Sequence, residues 1–141
     1  AAARAKAEGK TLLAQLDALL ARYGVHTERA KSYTLQGLEG AEKIKTIMQQ
    51  LRAEPRKEIA GLKVLEQKDY APGIDGFPSS DVLYYTLEND QWVCVRPSGT
   101  EPKIKFYFGV CAELESVADF DRVEVGLDAK IETIKKELKL V

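Results

Sequence analysis

Leucines at positions 12, 13, 16, 19 and 20 recur with the spacing of one face of an α-helix. Thr11 stands where an N-cap hydroxyl is needed, and Gly24 closes the run. Ahead of it, residues 1–8 are helix-prone and Gly9 is placed to stop them. Residues 25–31 are short and polar, and predict a linker with the domain boundary in it. Residues 32–37 read as a strand. Residues 38–54 then place Ala41, Ile44, Ile47, Met48 and Leu51 on one helical side, stopped by Pro55.

The second half alternates. Residues 62–70 predict a strand, and 71–80, with Pro72, Gly73, Gly76 and Pro78, a loop. Residues 82–87 and 92–96 predict a hairpin across Glu88-Asn89-Asp90-Gln91. In residues 103–111, Ile104, Phe106 and Phe108 share one face, which leaves Lys103, Lys105 and Tyr107 on the other. Ser116 is placed to cap a last helix bearing Val117, Phe120, Leu127, Ile131, Ile134 and Leu138, with Gly126 a point where it could break in two. From residue 32 the order is strand, helix, four strands, helix. That grouping predicts an α+β domain: one antiparallel sheet with its helices on one face.

The 141 residues suffice for one domain, or one domain and a piece of another, and 45% hydrophobic residues suffice for a core. The start at Ala1 rather than Met suggests a fragment or a trimmed product. Lys and Arg number 21 against 22 Asp and Glu, for a net charge of −1. No general polyanion surface follows from that balance, which argues against a nucleic-acid partner, so any phosphate affinity must be local. No apolar run is long enough to span a bilayer or to form a signal-peptide core, which argues against a membrane partner. Cys94 and Cys111, the only cysteines, fit a reducing cytoplasm; a disulfide between them has no other support. With the single His26 they form no zinc set, and His26 reads as a surface or capping residue.

Candidate chemistry concentrates in Arg96-Pro97-Ser98-Gly99-Thr100-Glu101-Pro102, followed by a basic strand. Arg96 offers a planar fork matched to phosphate oxygens. Ser98 and Thr100 add hydroxyl donors, and Gly99 lets backbone N–H groups face a ligand with no Cβ in the way. Pro97 and Pro102 stiffen both ends, and Lys105 adds a charge from the strand. The plainer reading is a tight hairpin whose polar residues satisfy only the turn. The full run points instead to an anion site. No nucleophile–base pair, dinucleotide fingerprint or Walker loop is present. Asp75 and Asp81 read as turn formers.

The run resembles the Arg-x-Ser-Gly-Thr-Glu-Pro phosphate-binding loop of the α-D-phosphohexomutases, the family of phosphoglucomutase, phosphomannomutase and phosphoglucosamine mutase. Ser32-Tyr33-Thr34-Leu35 with Gly37 and Gly40, residues 41–48, and Ser80-Asp81-Val82-Leu83-Tyr84-Tyr85 look like that family's C-terminal domain. Lys103-Ile104-Lys105-Phe106-Tyr107-Phe108 is most similar to the α-phosphoglucomutase branch, and Gly9-Lys10-Thr11-Leu12-Leu13 to the end of the preceding domain. The resemblance implies a TATA-binding-protein-like fold over residues 32–141. It makes residues 1–31 the last helices of a mostly absent domain plus a linker. It implies that Arg96, Ser98, Gly99, Thr100 and Lys105 anchor substrate phosphate, with no catalytic residue and no cofactor in this chain. The family interconverts hexose 1-phosphate and hexose 6-phosphate through a phosphoserine and a bisphosphate intermediate. The phosphoserine, the Mg2+ held by an Asp-rich loop and the sugar-contacting Gly-Glu loop are implied for earlier domains, so this chain alone is expected to be inactive. The implied partners are a phosphosugar and the missing N-terminal domains. Two other readings stand beside this one. The first is a stand-alone binding module for sugar phosphates. The second is a structural domain in which Arg96 and Lys105 merely pair with Glu101 or Glu113.

Overall fold

The structure is a computed structural model that describes residues 2–74 and 76–138. Two short helices come first, α1 (Ala2–Ala7) and α2 (Leu12–Tyr23). Gly9 ends α1 at φ +70°, with Lys10 N–H donating to the Ala5 carbonyl at 2.8 Å. Thr11 caps α2 by accepting from Ala14 N–H at 3.0 Å. Then follow β1 (Val25–Thr34), α3 (Gly37–Ala53), β2 (Glu58–Ile59), β3 (Leu62–Asp69), β4 (Leu83–Leu87), β5 (Trp92–Pro97), β6 (Lys103–Ala112), a 3-10 turn (Val117–Asp119) and α4 (Phe120–Glu137).

The strands form a six-stranded sheet in the order β1-β6-β5-β4-β3-β2, and every neighbouring pair is antiparallel. Alternation decides which side is core. Ile104, Phe106, Phe108 and Val110 of β6 are at most 2% exposed, and their register partners Val93 and Val95 are fully buried. Leu83, Tyr85 and Leu87 of β4 continue the same side. Ile44, Met48 and Leu51 of α3 and Leu127, Ile131 and Ile134 of α4 close over it. Each large side chain buried there contributes on the order of 1.5–3 kcal/mol. The architecture is therefore α+β with the long helices on one face, as the sequence pattern predicts.

The polar stretch at 25–31 is not a linker. It is the first part of the ten-residue strand β1, paired with β6 from Val25 opposite Ala112 to Thr34 opposite Lys103. Its inward positions hide the strand pattern because they are polar. Thr27 is buried, and Arg29 reaches from β1 to Glu124 at 3.0 Å and Asp128 at 3.1 Å on α4. Gly24 lets β1 start directly after α2. Its φ is +79°, and a Cβ there would lie 2.4 Å from the Ala112 carbonyl oxygen. The strand also ends at Thr34, three residues short of the expected end, because Gly37 already begins α3.

Gly126 does not break the last helix: α4 is continuous, and a Cβ at Gly126 would meet nothing within 4 Å. Strand β3 falls where the pattern predicts a strand, whereas its two-residue partner β2 is too short to show in the pattern; Ala60 and Gly61 turn the pair, with φ of 52° and 76°. The β4–β5 hairpin turns as predicted, with Asn89 and Asp90 both at φ 57° and Leu87 N–H donating to the Gln91 carbonyl at 2.8 Å.

Candidate anion site at the β5–β6 loop

Register builds the site. Arg96 on β5 lies directly opposite Lys105 on β6, and Lys105 lies opposite Ser32 on β1. Because Val95 and Ile104 point into the helix-covered core, Arg96 and Lys105 point to the open face. The connecting loop closes tightly. Ser98 N–H donates to the Lys103 carbonyl at 2.7 Å, and Lys103 N–H donates to the Glu101 carbonyl at 2.7 Å. Leu35 N–H donates to the Pro102 carbonyl at 2.8 Å, which ties the loop to the β1–α3 connection.

Among the described residues, the side chains of Arg96, Ser98, Thr100 and Lys105 make no hydrogen bond or ion pair, and the N–H groups of Gly99 and Thr100 donate to no protein acceptor. These side chains take no part in the hydrogen bonds that close the turn. Glu101 is occupied by Lys103, whose Nζ lies 3.0 Å from its Oε2. Arg96 and Lys105 pair with neither Glu101 nor Glu113. Gly99 lies outside the left-handed region, and a Cβ there would meet nothing within 4 Å. Glycine is not required there by the chain's own geometry; it leaves the space over the free N–H groups open. Arrayed this way, two cations, two hydroxyls and free amides can together receive an oxyanion.

The remaining candidates fall elsewhere. Cys94 and Arg96 flank the buried Val95, two positions apart, so Cys94 shares the open face with Arg96. Burial pushes its thiol up, against the opposing pull of the Arg96 charge. Cys94 lies opposite Tyr107, so Cys111 is four residues further along β6, about 13 Å away and out of disulfide range. Both thiols are free, and Cys111 donates to the Asn89 carbonyl. His26 is exposed on β1, and its Nε2 hydrogen-bonds the Tyr23 carbonyl at 3.0 Å, at the end of α2. Asp81 does more than form a turn: it accepts from Arg52, which also holds Asp69 at 2.9 Å, so one guanidinium clamps both ends of the β3–β4 loop. Asp75 lies outside the described residues. Pattern reading missed the stacked rings of Tyr84 and Trp92, 5.7 Å apart on the open face. The chemical type of the two residues gave no pairing signal, and only the strand register brings them together.

Residues 3–127 match the family model for the phosphoglucomutase/phosphomannomutase C-terminal domain. The chain belongs to this family. Phosphoglucomutase of Staphylococcus aureus strain MRSA252 is 38% identical over 130 residues, which cover 83% of this chain and 23% of that protein. Phosphoglucomutase of strain N315 is 37% identical over 128 residues, with the same coverage. The open form of Paramecium pp63/parafusin, a phosphoglucomutase, superposes over 88% of this chain and 24% of its own, at 14% identity and a TM-score of 0.49. This phosphohexomutase C-terminal domain thus spans under a quarter of the curated relatives it matches.

Proposed function

We propose that this domain anchors the non-reacting phosphate of a sugar phosphate in a phosphoglucomutase or phosphomannomutase, and transfers no phosphoryl group itself. The observation that carries the reading is the set of donors at Arg96, Ser98, Gly99, Thr100 and Lys105, none satisfied within the described protein. An unpaired guanidinium, an unpaired ammonium and free amides on one rim suit an oxyanion and give no means of distinguishing one sugar from another. A mutase needs that indifference, because the same sugar binds twice in opposite orientations and either phosphate must fit. The structural-domain reading needs Arg96 and Lys105 neutralised by Glu101 or Glu113. Glu101 is taken up by Lys103 instead.

The phosphoserine and Mg2+ of the reaction belong, in this reading, to the part of the enzyme outside this chain. Among the described residues no three His, Cys, Asp or Glu side chains come together as a metal-ligand group. In this reading helices α1 and α2 pack on the preceding domain, and the family match, which begins at residue 3, includes all of them but Ala2. The leucine face supports this, since Leu12, Leu13, Leu16 and Leu19 are each at least half exposed. Two free thiols fit a cytoplasmic location. No helix of the described residues is long and apolar enough to cross a membrane.

Calorimetric titration tests the reading. Glucose 1-phosphate, mannose 1-phosphate and inorganic phosphate should bind the 141-residue chain with similar dissociation constants, on the order of millimolar, or about −4 kcal/mol. Glucose should not bind. A coupled mutase assay with Mg2+ and the bisphosphate activator should show no turnover. Turnover by the purified chain, or binding of glucose as tight as that of its phosphate, contradicts the proposal.

A further inference from the structure

Between Arg96 and Lys105 the only acidic residue is Glu101, set in a loop otherwise made of donors. Unshielded, its carboxylate would repel an incoming anion. It is not unshielded. Lys103 Nζ lies 3.0 Å from Glu101 Oε2, and the backbones of the same two residues are joined by the 2.7 Å bond from Lys103 N–H to the Glu101 carbonyl. Lys103 is also two positions before Lys105 on β6, so both point to the open face. Without Glu101, the rim would present Arg96, Lys103 and Lys105 as three unpaired cations; with it, Arg96 and Lys105 remain.

We propose that Glu101 is a specificity-determining residue of the loop. By holding Lys103 it limits the charge offered to an anion to Arg96 and Lys105, which suits one phosphate monoester and disfavours more highly charged phosphates. The inference rests on the phosphate-anchor reading. Its physical basis is that Coulomb attraction scales with the product of the charges. Removing the Glu101 carboxylate raises the rim's net charge by one and leaves Lys103 unpaired, and therefore strengthens binding of a multiply charged phosphate more than that of a single phosphate group.

The test is titration of the 141-residue chain with inorganic phosphate and with pyrophosphate at low salt. The proteins are wild type, Glu101→Gln, Lys103→Met and the double variant, each checked for folding by circular dichroism. Glu101→Gln should tighten phosphate about threefold and pyrophosphate about tenfold. Lys103→Met should weaken both, because it leaves the Glu101 carboxylate facing the anion unpaired. The double variant should return close to the wild-type preference between the two anions. An unchanged preference in Glu101→Gln, or weaker binding of both anions, overturns the inference, since a carboxylate that only braces the loop gives that result. If Glu101→Gln does not fold, Lys103→Met decides: unchanged or tighter binding there overturns it. Wild type that binds neither anion, or binds both equally well in Arg96→Ala, overturns the anchor reading and this inference together.

Discussion

At Gly99 the fold and a ligand make different demands. The residue lies outside the left-handed region, and a Cβ would meet no atom of the chain within 4 Å. Gly99→Val should therefore change stability by no more than about 0.5 kcal/mol, as for other exposed positions. It should nonetheless weaken phosphate binding severalfold, because the branched side chain fills the space over the free Gly99 and Thr100 amides. Thermal melting and titration of the same variant read the two effects separately; retained affinity would show that the anion does not approach those amides. Most of the candidate donors are legible in sequence because they are contiguous in Arg96-Pro97-Ser98-Gly99-Thr100. The partner of Glu101 is not. Arg96, Lys103 and Lys105 all lie within reach along the chain, and only the pairing at 3.0 Å shows that it takes Lys103.

At the scale of elements, legibility depended on whether the buried face of a strand is apolar. Strand β6 showed itself through Ile104, Phe106 and Phe108, whereas the first part of β1 read as a linker because Thr27 and Arg29 face α4. The α2 leucines sort by neighbours that sequence cannot supply. Leu20 packs against the core, while Leu16 stays half exposed on the rim of a groove of about 520 Å³ between α2, β1 and the start of α4. Leu20→Glu should therefore lower the urea midpoint clearly, and Leu16→Glu should barely move it. Equal losses would mean that the whole leucine face is buried in solution, and sedimentation at rising concentration would then show whether a second copy covers it.

The β3–β4 loop carries the pH dependence argued from its clamp. Burial acts to raise the Asp69 carboxyl, but hydrogen bonds from Arg52 and from Ala71 N–H outweigh it and hold the group below its ordinary value of 3.8. A depressed carboxyl stabilises the fold at pH above that ordinary value. The contribution is lost as the pH falls through the lower, folded value. Urea midpoints should accordingly drop below about pH 4, and Asp69→Asn should flatten that drop while lowering stability at pH 7. An identical acid limb in Asp69→Asn would remove the clamp from the account. Tyr85 sets the alkaline end: burial pushes its hydroxyl up to about 12, so its share of stability holds below pH 10 and is lost as the pH rises toward 12.

At the scale of the whole molecule, a chain covering 23% of its relatives' length presents, among the described residues, an exposed Arg96 beside a half-buried Lys105. Binding there should be weak and should fade at high salt, because exposed charges are screened within about 8–10 Å. The most direct measurement is an amide NMR titration of the 141-residue chain with glucose 1-phosphate at low salt. The resonances of Ser98, Gly99 and Thr100 should shift at tens of millimolar, roughly as expected for a millimolar site. Arg96→Ala should abolish those shifts. Lys105→Ala should only reduce them, since it removes a charge but not a directional fork worth roughly 1.5–3 kcal/mol per hydrogen bond. Amides that stay unmoved, or that move equally in Arg96→Ala, would contradict the account and leave the loop as a turn and nothing more.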